Sequence, residues 1–149
     1  IKERIAYKFR IYSRWYSSKK AVELKRTHEI ENNFNYDYVF LTRFDIVWQN
    51  YLKFKDLKKN FFYSSNWYTK SFFSLRNKNF DNRNFSDYWF VCDSKMMDIF
   101  ATLYDFLPEY YPCSHRATYQ HAKKIFGKKN LSYILELDKD YEIYRRVIK

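Results

Sequence analysis

Three consecutive residues, Arg43-Phe44-Asp45, follow the apolar run Tyr38-Val39-Phe40-Leu41 and offer the plainest chemistry in this chain. A guanidinium and a carboxylate two positions apart project the same way if an extended backbone continues through both. Arg43 would then take phosphate oxygens, and Asp45 a divalent cation (Mn2+ or Mg2+) or a ribose hydroxyl, so that the pair suits a nucleotide diphosphate. The alternative is an ordinary Arg–Asp ion pair that closes a strand end. In open α/β sheets ligands bind beyond the carboxyl ends of strands, which is where these residues fall. Spacing alone leaves both readings open.

Other reactive residues are few. His115 and His121 stand six apart on one predicted helix, about 240° around its axis, and so do not share a face. His115, in the first turn after Ser114, is the one within reach of a phosphate or a metal; the commoner outcome for such a residue is a surface histidine. His28 is expected to be solvated. Two cysteines are too few for a disulfide scaffold or a cysteine zinc site. Cys92, after Phe90-Val91, reads as a small buried hydrophobe. Cys113 has no evident base partner, so no cysteine nucleophile is expected.

The elements that must position these residues follow from periodicity and punctuation. Residues 13–33 read as a helix capped by Ser13, with Trp15, Lys19, Val22 and Arg26 along one stripe, Tyr12 and Leu24 flanking it, and Asn32-Asn33 at the exit. Residues 37–44 form a strand that is apolar on both faces, as a covered central strand would be. A short helix at 52–59 and a strand at 61–65 come next. The asparagine-rich stretch that follows, with Trp67, Tyr68, Phe72 and Phe73, reads as a long surface loop. Those rings would stack on sugars or bases, or pin the loop to the core. Residues 87–92 return to strand character, and DSKMMDIFATLYDFL is a helix with Asp93 or Ser94 as its cap, ended by Pro108 and Pro112. Ser114 caps a helix that stops at Gly127, and 131–137 is a last strand. The order helix, strand, loop, strand, helix, helix, strand is an α/β layout in one domain, 1–149.

Composition narrows the function classes. The 149 residues carry 28 Lys and Arg against 17 Asp and Glu, a net charge of +11, and 23% are aromatic. A basic, aromatic-rich chain suits a nucleic-acid-binding module without catalytic activity, with cations on phosphates and rings under bases. A low-GC coding sequence predicts the same enrichment in Lys, Asn, Tyr, Phe and Ile, together with the single glycine and two prolines. What charge remains favours anionic partners over cationic ones. No run of 18 apolar residues occurs, so no transmembrane helix is expected, and no signal-peptide pattern is visible. A cytoplasmic location is expected. The chain begins without methionine and reads as part of a longer protein, with an N-terminal segment of the same chain as a further partner.

Two blocks carry a resemblance. SRWYSSKKAVELKRTHEIENNFNYDYVFLTRFDIVW resembles a segment of bacterial and viral glycosyltransferases of surface polysaccharide synthesis. There a helix leads into a strand ending in Arg-x-Asp, where GT-A-type enzymes often carry Asp-x-Asp. SDYWFVCDSKMMDIFATLYDFL is similar to the strand and helix that follow in the same proteins. The resemblance implies a partial GT-A-like (Rossmann-like) sheet with helices packed on its faces, belonging to the C-terminal part of a glycosyltransferase domain. It implies transfer of a sugar from a nucleotide-sugar donor to a glycan or polysaccharide acceptor, with nucleic acid an improbable partner. In that frame Arg43 and Asp45 bind the diphosphate, Asp45 is the metal ligand with His115 as a further candidate, and a divalent cation is the cofactor. Asp87, which opens the second block, is the candidate catalytic base that takes the acceptor proton in an inverting reaction; the alternative is a solvated residue in a polar turn. Asp93 caps the next helix. The chain departs from the pattern in two respects: it has no full Asp-x-Asp, which puts metal dependence in question, and the N-terminal half that usually grips the nucleotide base in those proteins is expected to lie outside it, so the segment alone need not be active.

Overall fold

The computed structural model describes residues 2–66 and 84–144. Helix α1 spans Lys2–Glu31, far longer than the 13–33 read from sequence. Ser13 lies in its middle and caps nothing. The residues before it contain no Gly or Pro and are rich in good helix formers, so the helix runs on past a residue that could have started one. Ile11, Trp15, Val22 and Glu29 are its buried stripe, while Leu24 is exposed. The exit is where Asn32-Asn33 place it: Asn33 takes φ 51°, a left-handed conformation that asparagine tolerates.

Four strands form the main sheet: β1 (Val39–Thr42), β3 (Phe62–Ser64), β4 (Trp89–Cys92) and β5 (Leu131–Tyr133), in the order β1-β4-β3-β5. β4 runs antiparallel to both neighbours, and β3 pairs parallel with β5. β1 is therefore an edge strand. The covered central strand is β4, whose four residues are all buried. β1 is apolar on both faces because both faces of the sheet are covered, not because strands flank it.

The two coverings differ. On one face Phe62, Phe90 and Cys92 pack against α1, α2 (Ser94–Phe100) and α4 (Ser114–Phe126). Phe62 is fully buried, with the rings of Phe85, Phe90, Phe100 and Phe126 centred 4.5–5.6 Å away. Burying one such side chain contributes about 1.5–3 kcal/mol. On the other face Tyr63, Trp89 and Val91 meet a small two-stranded antiparallel sheet, β2 (Ile46–Trp48) with β6 (Tyr141–Ile143). The molecule is mixed α/β, as expected, but its helices gather on one face of the sheet. Among the described residues no helix is long and apolar enough to cross a membrane.

Several local expectations change. Residues 52–59 give only a 3-10 turn at Phe54–Asp56. The predicted helix after Asp93 is broken into α2 and α3 (Leu103–Phe106), where the Thr102 hydroxyl donates to the Ile99 carbonyl at 2.7 Å and competes with the backbone ladder. Asp93 does cap α2, accepting from the Met96 N–H at 3.0 Å. Ser114 is inside α4, and Cys113 holds the cap position. Gly127 ends α4 with φ 76°. β5 stops at Tyr133 because Leu135 takes φ 57°, which an extended ladder cannot follow. Trp67, Tyr68, Phe72 and Phe73 lie outside the described residues.

Candidate functional site

Antiparallel pairing of β1 with β4 decides what meets what. Thr42 pairs with Trp89, so the residues just after β1 and those just before β4 share one edge of the sheet. The Arg43 N–H donates to the Tyr88 carbonyl at 3.2 Å and extends the ladder by one step. The chain then turns at Phe44-Asp45 rather than continuing as a strand. The turn still brings the two charged side chains together: Arg43 Nε donates to Asp45 Oδ1 at 2.7 Å, and Nη2 donates to Oδ2. This bidentate pair, about one-third exposed on each side, lowers the Asp45 pKa, chiefly through the hydrogen bonds from Arg43. The Arg43 guanidinium is correspondingly held charged, first by the same bonds.

Asp87 is fixed from both directions. Before it, the Ser86 N–H donates to the Ser65 carbonyl at 2.8 Å, and the Ser65 and Ser86 hydroxyls lie 2.6 Å apart. The Tyr141 hydroxyl bonds both serines, so a buried knot of three hydroxyl groups anchors the chain just ahead of Asp87. After it, Tyr88-Trp89 enters the core. Asp87 is itself buried, and its carboxylate faces two basic side chains, Arg14 Nε at 3.7 Å and His115 Nδ1 at 3.4 Å. The Asp87 N–H donates to that same Nδ1 at 3.1 Å. In the neutral ring the proton is thereby assigned to Nε2, and the carboxylate does not share a proton with Nδ1.

Charges here perturb one another. Burial lowers the Arg14 pKa, opposed by Asp87 and reinforced by Arg43. Arg14 Nε is buried and lacks a hydrogen-bond partner among the described residues. Burial also lowers the His115 pKa, against the pull of Asp87, so the ring is neutral at pH 7. His115 is thus a half-buried member of the cluster and not a surface histidine. His121 is elsewhere, fully buried in the helical layer, with its pKa lowered by burial to about 4. Its Nδ1 and Nε2 meet Tyr110 Oη at 2.9 Å and Thr102 Oγ1 at 3.2 Å. His28 is exposed and stacks on Tyr36. Cys92 is fully buried, and burial raises its thiol pKa well above the ordinary value.

An open cleft of about 640 Å³ lies over this cluster. Arg10, Arg14 and Arg43 line it with Asp87 and His115, so three guanidiniums oppose one carboxylate. The floor is tied across the fold: Trp15 Nε1 donates to Ser114 Oγ at 3.1 Å, joining α1 to the first turn of α4. The cleft suits an anion. Asp45 is engaged by Arg43, and among the described residues no three His, Cys, Asp or Glu side chains converge.

Arg43, Asp45, Asp87 and His115, singled out from sequence, therefore stand together. Arg14, Arg10 and Tyr88 were missed. Arg10 and Arg14 are four apart on one helix and necessarily neighbours, but with the helix started at Ser13 that spacing had no meaning. In comparisons with known proteins, no family model, no curated protein and no solved structure matches this chain.

Proposed function

We propose that this cleft is the active site of a cytoplasmic glycosyltransferase that moves a sugar from a nucleotide-sugar donor to a glycan acceptor on a partial GT-A-like sheet. The observation that carries the reading is the meeting of Arg14 and Arg43 with the Asp87 carboxylate at one sheet edge. Sugar transfer needs those two parts. Asp87 takes the proton of the acceptor hydroxyl as its oxygen forms the new bond to the anomeric carbon. The bond from that carbon to the diphosphate oxygen breaks, and the leaving diphosphate keeps the electron pair. Arg43, oriented by Asp45, and Arg14, whose guanidinium lines the same cleft, receive the developing charge. The guanidiniums supply the stabilisation that a divalent cation would otherwise give, so Asp45 acts as a positioning residue for Arg43 and not as a metal ligand.

A panel of UDP-, GDP- and ADP-sugars, screened by thermal shift and then by sugar transfer, tests the reading. A rise in melting temperature with one donor, independent of added Mn2+, is expected. Indifference to every donor, combined with oligonucleotide binding that falls steeply with salt, would replace this reading with a nucleic-acid-binding one.

A further inference from the structure

A second, more enclosed pocket of about 440 Å³ opens beside the guanidinium cleft, and the two share Ile11 as a wall. On α1 the side that faces the guanidinium cleft is Arg10 and Arg14, and the neighbouring side is Lys8 and Tyr12. On α4 it passes from Ser114 and His115 to Ala117, about one turn along. Tyr110 and Tyr111 stand opposite, with Pro108 and Pro112 restricting the backbone of that wall.

The rings are braced. Tyr12 meets Tyr104 edge-on at 6.2 Å, and the Tyr110 hydroxyl is committed to His121. Tyr111 is 56% exposed, with the Arg116 guanidinium 4.7 Å from its ring centre. Three tyrosine rings and two prolines wall this slot, with cations at its rim. A planar aromatic group stacks on such walls.

Resting on the function proposed above, we infer that the tyrosine pocket takes the nucleobase of a nucleoside diphosphate whose phosphates lie at Arg14 and Arg43. Ile11 then lies beneath the ribose that bridges the two. Stacking of one base on an aromatic side chain corresponds to roughly 5- to 150-fold in affinity.

Calorimetric titration of the chain with inorganic pyrophosphate, UDP, GDP and ADP is the test. At least one nucleoside diphosphate should bind roughly 5- to 150-fold more tightly than pyrophosphate. Tyr111→Ala should remove most of that advantage and leave pyrophosphate affinity unchanged, and Tyr111→Phe should keep it. In saturation-transfer NMR on the unaltered chain, the base protons should receive more saturation than the ribose protons. Nucleoside diphosphates no tighter than pyrophosphate, an unaffected Tyr111→Ala variant, or saturation confined to the ribose would overturn the base assignment while leaving a diphosphate cleft. Failure of pyrophosphate and all three nucleotides to bind would remove the proposed function as well.

Discussion

Arg43 is tied to Tyr88 twice: its N–H donates to the Tyr88 carbonyl at 3.2 Å, and its guanidinium lies over the Tyr88 ring, 5.5 Å from the centroid. Strand register and side-chain position are thus fixed by one neighbour, and that neighbour is the residue after Asp87. The spacing between the leading cation and the leading carboxylate is a property of the β1–β4 ladder.

Arg43→Lys keeps the charge but loses the fork that holds Asp45 and the planar face that lies on Tyr88. Pyrophosphate affinity should fall about 10- to 100-fold, the range of a lost charge-assisted hydrogen bond. Because the ion pair is partly exposed, Asp45→Asn should cost only about 0–1 kcal/mol of stability. The Asp45 pKa is depressed, so its contribution is complete above the ordinary carboxylate value of 3.8 and is lost as pH falls through the lower folded value. Calorimetry for binding and urea melts for stability check the two halves. A full loss of folding in either variant would contradict both.

Asp87→Asn should lower the transfer rate about 10²- to 10⁴-fold, the range for general-base removal. Diphosphate affinity should stay level or tighten, since a negative charge has left a cleft that binds anions. A single-turnover assay at saturating donor separates the two effects, and undiminished transfer by the Asn variant would remove Asp87 from the base role.

Stability should decline between about pH 6.5 and pH 4 through His121. Its folded pKa of about 4 lies below the ordinary 6.5, so the unfolded chain binds the proton first. The stabilisation is therefore whole above 6.5, falls with pH across that window, and levels off below 4. At most about 3 kcal/mol is involved, at 1.36 kcal/mol per pKa unit. His121→Asn should flatten the slope across this window in urea melts at several pH values, and an unaltered slope would assign the effect to another group.

Gly127→Ala should destabilise by about 1–3 kcal/mol, the cost of a non-glycine residue in a sparsely populated region. At φ 76° and ψ 148° the penalty is conformational, because an added Cβ meets no atom within 4 Å. Chemical denaturation measures it directly. A neutral substitution would mean that the C-terminal end of α4 relaxes without cost.

The apolar run of Trp89–Cys92 and the Asp93 cap were readable because a buried strand and a helix start each have local signatures. Strand partners were not. Val39–Leu41 look the same at the centre or the edge of a sheet covered on both faces, and only the pairing with β4 separates the cases. That pairing also brings Asp87 to Arg43, so the assembly of the cluster lay beyond local pattern even though its members were singled out one by one. β6 is three residues long, Tyr141-Glu142-Ile143, too short for a period to declare itself. Its place depends on β2, almost a hundred positions earlier (Gln49 and Glu142 side chains meet across 93).

The bond from Trp15 to Ser114 spans 99 positions. During synthesis the arginines of α1 leave the ribosome long before the histidine and serine of α4. The cleft therefore cannot exist until α4 has emerged, and a chain cut before Ser114 cannot sequester ligand in it. Any molecule that binds there selects the finished fold and stabilises it by mass action.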